Sequence, residues 1–144
     1  MRVVRSRTLF LTGCAVNERT VAHGPSDLDA GPNEFLRVTL KALVLDATAT
    51  QAVQSLPHVQ LRSNLASTMF EPMQAERFSP TTLFALAFRG ASFAHVDGGG
   101  DSFTTALSTR HVDRVELRLC DNVGTVLTTG GTYDVVLRVD VVTP

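Results

Sequence analysis

Lysine is nearly absent from this chain, in which Lys41 stands alone beside twelve arginines. A GC-rich genome is the first explanation of this bias. A surface built for contact is the second, because interfaces retain Arg and are depleted of Lys. The formal net charge is only −1, so the chain lacks the positive excess that attracts bulk nucleic acid or an anionic membrane. We therefore expect no direct nucleic-acid partner.

Cysteine and long apolar runs are also scarce. The two cysteines, Cys14 and Cys120, are too few for a disulfide framework. In a strand context they are predicted to be small buried hydrophobes. No apolar run approaches the ~20 residues of a membrane span, so no spanning segment is expected.

The N-terminus carries a short resemblance to a targeting signal. Leu11–Cys14 is similar to a bacterial lipoprotein cleavage box and follows a basic start. However, the uncharged run from Thr8 to Gly13 falls short of the ~7–15 apolar residues of a signal core. We therefore predict a first β-strand around Arg7 to Thr12.

The strongest pattern in the chain lies in its last stretch, Arg110 to Val142, where apolar and polar residues alternate. The apolar positions are Val115, Leu117 and Leu119, followed by Tyr133, Val135, Leu137, Val139 and Val141. A period of two is typical of a strand with one buried face. It predicts two partner strands at 112–121 and 133–142, separated by turn signals at Asp121–Gly124 and Gly130–Gly131.

Further strands are predicted upstream of this stretch. They span Glu34–Leu45, His58–Leu65, Thr81–Arg89 and Ser102–Leu107. Two turn-rich segments, Asn17–Asn33 and Met69–Pro80, are predicted to be loops. The segment Asp46–Ser55 fits either a short helical turn or a strand.

Seven or eight short strands with almost no helical periodicity predict an all-β antiparallel two-sheet sandwich, either a jelly roll or immunoglobulin-like. The length suits a single domain over residues 1–144. We expect one core, formed by Leu36, Val38, Leu40, Val115, Leu117, Leu119, Val135, Leu137 and Val139.

The chemical motif that stands out is His-Val-Asp, which occurs at 95–97 and 111–113. On a strand, residues i and i+2 share a face, so His95, Asp97, His111 and Asp113 could supply a two-His-one-carboxylate iron site. The simpler interpretation is polar strand ends beside Arg110 and the Gly98–Gly100 turn, and we favour it. No Gly-x-Ser-x-Gly elbow or phosphate loop is present. We therefore predict no catalytic, cofactor-binding or metal-ligating residues, and no enzyme activity.

The order of features resembles the small penton or minor capsid proteins of double-stranded DNA viruses, in the virophage, polinton-like and large-DNA-virus group. The segments 112–119, 121–124 and 135–139 carry most of the likeness, together with Leu127 and Gly131. Weaker similarity lies at 59–67 and 83–88, so the likeness runs from about Glu34 to the end. The chain departs from the family in its low aromatic and Asn content. The resemblance implies a single jelly roll and an architectural role, with no catalytic residues to transfer.

These observations lead to three hypotheses of function. The first is a component of an icosahedral capsid located in the virion, as a homopentamer at the vertex or a minor capsid protein that contacts the major capsid protein. We expect its contacts at an open sheet edge formed by Tyr133–Val142, which lacks Lys and Pro. The second is a carbohydrate- or receptor-binding module that uses the loops Asn17–Asn33 and Met69–Pro80. The third is a small metal enzyme built on the His-Val-Asp pairs.

Overall fold

The computed structural model describes residues 1–24, 28–65, 82–86, 94–96, 104–107 and 109–144, with 94–96 described by their backbone. Nine strands and one helix lie in these ranges. In chain order they are β1 (Arg2–Ala15), β2 (Thr20–His23), β3 (Phe35–Leu45), α1 (Ala47–Val53), β4 (Val59–Ser63), β5 (Thr82–Leu86), β6 (Ala94–Val96), β7 (Thr104–Ala106), β8 (Arg114–Cys120) and β9 (Thr132–Thr143).

The strands form two antiparallel sheets. The first sheet has the order β1-β9-β3, and β6 and β7 both pair with the far edge of β3. They meet different parts of it, since β6 pairs with 42–44 and β7 with 37–39. The second sheet has the order β2-β8-β4-β5. The all-β two-sheet sandwich predicted from the sequence is confirmed.

The pairing of the strands is that of a jelly roll. The antiparallel pairs β1 with β9, β2 with β8, β3 with β6 and β7, and β4 with β5 are nested one inside the next. The outermost pair and the third pair belong to the first sheet, while the other two belong to the second. The chain therefore wraps as one long hairpin around the core, with β3–β9 and β4–β8 joining neighbouring turns of the wrap.

The core lies between the two sheets, where alternating apolar residues from both face each other. All nine residues predicted to form it are at most 1% exposed. The two last strands were expected to be partners, but they do not pair. β8 pairs with β2 and β4, and β9 pairs with β1 and β3, so the two strands contribute to the core from opposite sheets.

The terminal strand β9 is a central strand, which corrects the expectation of an open edge there. β1 runs alongside it from the Arg2–Thr143 pair to the Ala15–Thr132 pair, and β3 covers its other side. Flanking strands explain why Asp140 and Val142 are buried although they lie on the outward face. One edge of the first sheet lies at β1, which pairs only with β9 among the described strands.

The ambiguous segment after β3 is helical because Asp46 caps it. The Asp46 carboxylate accepts a hydrogen bond from the Ala49 N–H at 2.8 Å, which satisfies one of the free donors at the helix start. Its second oxygen accepts from the backbone N–H of Thr132 at 2.9 Å and from the Thr132 hydroxyl at 3.0 Å. The Asp46 side chain thus joins the start of α1 to the start of β9 by hydrogen bonds.

The remaining predictions divide into three groups. Strand predictions at β3, β4, β5 and β7 are confirmed within a few residues, and Cys14 and Cys120 are buried free thiols as expected. The predicted loop Asn17–Asn33 is wrong in part, because it contains β2 and the fully buried Leu28. The predictions at Met69–Pro80 and Gly98–Gly100 lie outside the described residues.

Candidate functional site

The structure describes three of the four candidate metal ligands, and it describes His95 by its backbone alone. His111 forms an isolated β-bridge with Asp29, and its ring Nδ1 contacts the Asp29 carboxylate rather than that of Asp113. Asp113 is exposed, and its backbone carbonyl accepts from the Gly24 N–H at 2.9 Å. The backbone of His95 pairs with Leu43 in the first sheet, and Asp97 lies outside the described residues.

The contact between His111 and Asp29 is a hydrogen bond at the surface, and it is an ion pair when His111 is protonated. The hydrogen bond with Asp29 raises the pKa of His111, and the charge of Asp29 adds to the effect. Both side chains are more than half exposed, so water competes for this pair and its strength is that of a surface salt bridge. It ties the segment after β2 to the segment before β8.

Two further findings concern the described part of the chain as a whole. Among these residues, no three His, Cys, Asp or Glu side chains lie close enough together to hold a metal ion. None of the described helices is both long enough and apolar enough to cross a lipid bilayer.

A charged cluster lies on the outer face of the first sheet. Asp140 of β9 is 1% exposed, and it accepts hydrogen bonds from Ser6 Oγ at 2.7 Å and Arg37 Nη2 at 3.0 Å. Arg138 Nε adds a third bond at 3.2 Å. Because Ser6, Asp140 and Arg37 are register neighbours on β1, β9 and β3, this buried carboxylate ties three strands together.

Beside this cluster is a group of four apolar side chains, here called the outer apolar patch: Phe10, Ala42, Val44 and Val136. Phe10 is 72% exposed and Val44 is 41% exposed. Phe10 pairs with Val136, which pairs in turn with Ala42, so the group crosses β1, β9 and β3. Phe10, Val44 and Val136 point outward, since their neighbours along the strand pack into or against the core, and Ala42 shares this face as the register partner of Val136.

The patch borders the edge strand β1. This strand begins with the exposed residues Arg2 to Thr8, which include Val3, Val4 and three arginines. An edge strand offers backbone N–H and C=O groups for pairing with another chain, and monomeric proteins usually block such an edge with Lys, Pro or a bulge. β1 contains no Lys or Pro, and its register shifts lie near its two ends. Its middle section is a regular strand whose other side pairs with none of the described strands.

The outer face of the second sheet has a different character. A cavity of about 270 Å³ lies there, and we call it the arginine pocket. Its lining includes Arg19, Arg62, Arg118, Glu116, Cys120 and Val126. Arg62 on β4 and Arg118 on β8 are register partners, so their side chains emerge side by side on this face. The neighbouring Leu61 and Leu119 point into the core.

Asn64 and Glu116 frame one side of this pocket. Asn64 extends the β4–β8 ladder with its side chain, which donates to the Arg114 carbonyl at 2.7 Å and accepts from the Glu116 N–H at 2.9 Å. The Glu116 carboxylate lies 3.1 Å from Arg114 Nη2 and 3.7 Å from Arg19 Nη1. Glu116 therefore compensates Arg114 and Arg19, and its ion pairs include neither Arg62 nor Arg118.

Sequence reasoning missed the outer apolar patch and the arginine pocket. In the sequence, Arg62 and Arg118 are the ordinary polar positions of two alternating strands. Phe10 lies between two residues that pack against the core, Leu9 and Leu11, in a run with no visible alternation. The one available signal was the retention of Arg over Lys, which is typical of contact surfaces.

Neither protein-family models nor curated protein sequences yield a match for the chain.

Proposed function

We propose that this protein is a structural subunit of an icosahedral viral capsid, present as a homopentamer at the vertex or as a minor capsid protein bound to the major capsid protein. The jelly roll is shared by capsid proteins, lectins and cupins, so the fold alone does not choose among them. The choice among these three classes depends on which surfaces of this chain are suited to contact another protein.

The observation that carries the proposal is the combination of the open β1 edge with the outer apolar patch. Phe10 belongs to both, since it lies on the edge strand and is 72% exposed. Exposed apolar side chains beside an unprotected edge are typical of a surface that is covered on assembly. The occupant that we propose is a second copy of this chain, because a closed ring of copies covers the patch and the edge of every subunit.

The interior of the sandwich supports an architectural role. Side chains between the sheets in the described part of the chain are Leu, Val, Ala, Phe, Tyr and Cys, packed at 0–7% exposure. Lectin and cupin jelly rolls need polar groups or metal ligands to hold their ligands. The buried polar side chains described here, such as Thr39 and Asp140, are used instead in contacts between strands on the outer face.

Imaging of the native virus particle tests this proposal. We expect density for this chain at the vertices, with contacts between copies that each bury on the order of 1,000 Å² or more. The natural protein should sediment with particles after density-gradient purification. Absence of the chain from every capsid position, together with a monomeric mass in solution, would contradict the proposal.

A further inference from the structure

The arginine pocket contains a pair of like charges that its surroundings do not neutralise. Arg62 and Arg118 are direct cross-strand partners, which places their Cβ atoms about 5 Å apart. Like charges directly opposite each other destabilise a sheet. Among the described residues, neither guanidinium forms an ion pair with a carboxylate, whereas Arg19, Arg37, Arg114 and Arg138 all do.

The hydrogen bonds of these two arginines are weak. Nε and Nη2 of Arg62 share one neutral acceptor, Gln60 Oε1, at 3.4 and 3.3 Å, and this oxygen also accepts from Thr82. Arg118 Nη2 donates to the Asn17 carbonyl at 3.4 Å. Arg118 Nε is buried and has no hydrogen-bond partner in the described structure. Buried donors in proteins are nearly always satisfied, so this one calls for an acceptor beyond the described residues.

The size of the pocket limits what can bind there. Its volume of about 270 Å³ lies just below the ~300–1,000 Å³ of cavities that hold a whole drug-sized ligand. It therefore suits one functional group on a short stem. Val126 and Cys120 supply apolar lining for the stem, and the two guanidinium groups face the charged end.

The positive charges of both guanidinium groups reach the same residue of the pocket, Cys120. Burial raises the pKa of the Cys120 thiol, while the positive charges of Arg62 and Arg118 oppose that rise. The Cys120 side chain thus lies within the field of both arginines. An anion held above it would be attracted by both at once.

The charge around the pocket favours a singly charged group. The planar guanidinium fork matches carboxylate and phosphate equally well in geometry. Glu116 lines the same cavity, and its negative charge repels a doubly charged phosphate or sulfate more strongly than a carboxylate.

We propose that Arg62 and Arg118 bind the carboxylate of an acidic side chain presented by a partner protein, with the stem of that side chain against Val126 and Cys120. The two arginines act together on one carboxylate, and Arg19 also lines the pocket. This site lies on the second sheet and is independent of the contact surface in the first sheet that carries the proposed function.

Nuclear magnetic resonance tests the site directly, because each Arg Nε–H gives its own signal. The probe is the peptide acetyl-Leu-Glu-Leu-amide, titrated into the full chain, with acetyl-Leu-Gln-Leu-amide as its uncharged match. We expect saturable shifts of the Arg62 and Arg118 Nε–H signals with the Glu peptide and no saturable shifts with the Gln peptide. Absence of saturation with the Glu peptide overturns the proposal.

Two variants separate binding from folding. Arg62→Gln and Arg118→Gln should each weaken binding of the Glu peptide by at least about tenfold, the loss of one charge-assisted contact. Because each removes a like-charge repulsion, the urea midpoint should stay equal or rise. The control, Arg2→Gln, removes an exposed charge from the first sheet and should bind like the unaltered protein. Equal weakening in the control would show nonspecific attraction and overturn the proposal.

Two other ligands test which chemical group the arginine pocket binds best. Inorganic phosphate and glucuronate are titrated under the same conditions as the Glu peptide. Tighter binding of phosphate would overturn the assignment of a singly charged group, and tighter binding of glucuronate would assign the pocket to a carboxylated sugar instead of a protein. Weaker binding of both supports the acidic side chain.

Discussion

Gly131, at the start of β9, occupies a position that other residues cannot take without strain. Its φ is +104°, in the left-handed region, and an added Cβ would lie 2.6 Å from Ala49 N and 2.8 Å from Asp46 Oδ1. These atoms belong to the capped start of α1. Glycine is therefore required where the helix and the strand approach each other.

Gly131→Ala should lower the free energy of unfolding by about 2 kcal/mol, from backbone strain and displacement of the helix start. Urea denaturation measures the change. Gly130→Ala is the matched control, since its Cβ would meet only Thr48 Cγ2 at 4.0 Å. The control should stay within about 0.5 kcal/mol of the unaltered protein. Equal losses in both variants would contradict the role assigned to Gly131.

Asp140 gives a second prediction at the scale of one residue. In Asp140→Asn, the amide oxygen can still accept from Arg37 and Arg138 while the NH₂ donates to Ser6 Oγ, so the substitution removes the charge and keeps the hydrogen-bond geometry. Removing the buried negative charge leaves two arginines facing each other, so the free energy of unfolding should fall by about 3 kcal/mol. Thermal and urea unfolding should agree on this loss.

The exposed Asp134 serves as the comparison for Asp140. Asp134 Oδ1 accepts from the Gly13 N–H at 2.8 Å, and an Asn oxygen can do the same. Asp134→Asn should therefore leave stability nearly unchanged. If Asp140→Asn were equally mild, the cluster would contribute little to joining β1, β9 and β3.

At the scale of single residues, the sequence predicts which side chains are buried better than it predicts which residues lie beside them on neighbouring strands. The alternation in β8 and β9 identifies core residues without knowledge of any neighbouring strand. The importance of Asp140, Arg62 and Arg118 depends on which strands flank them and in which register, and the alternation carries neither piece of information.

At the scale of whole elements, β1 shows how a strand can be longer than its hydrophobic pattern. Arg5 and Arg7 pair with Val141 and Val139, on the same face of the strand as Leu9 and Leu11. Because charged residues replace apolar ones there, the alternation of apolar and polar residues does not extend before Leu9. Only the middle section of the strand, around Arg7 to Thr12, could therefore be predicted. The backbone pairing with β9 nevertheless continues to Arg2.

The helix α1 carries a pH-dependent contribution through Asp46. Hydrogen bonds from Ala49 and Thr132 lower the pKa of this carboxyl in the folded chain. A lowered folded-state pKa means that ionised Asp46 stabilises the protein above pH ~4, and that this contribution is lost as the pH falls through the folded-state value.

Asp46→Asn should therefore be less stable than the unaltered protein at pH 7, and the difference should shrink as the pH falls below about 4. Urea midpoints of both proteins across this range measure the difference. Glu18→Gln, a change of the same kind at an exposed residue before β2, should follow the unaltered protein at every pH. A constant gap between Asp46→Asn and the unaltered protein would contradict the role of ionisation.

At the scale of the whole molecule, strand count and spacing were enough to predict a sandwich, while the nesting of pairs was not visible. β8 and β9 are neighbours in sequence but belong to opposite sheets, and β1 and β9 pair although they lie at opposite ends of the chain. Long-range pairing of this kind depends on the complete set of strands. The open edge was consequently expected at β9, whereas it lies at β1.

The outer apolar patch leads to a prediction for the assembled protein. We expect the unaltered chain to sediment as a homo-oligomer, at five times the 15.5 kDa of one chain if the ring is a pentamer. Phe10→Asp places a charge at the centre of the proposed contact, so it should yield a monomer. Because Phe10 is 72% exposed in the single chain, the substitution itself should change the unfolding free energy of an unassociated chain by no more than about 0.5 kcal/mol. Val21→Asp introduces the same charge at a 50% exposed valine of the second sheet and should leave the oligomer intact. Sedimentation velocity distinguishes these outcomes. An unaltered protein that sediments as a monomer, or a Phe10→Asp variant that keeps the full oligomeric mass, would show that subunits do not meet through this face.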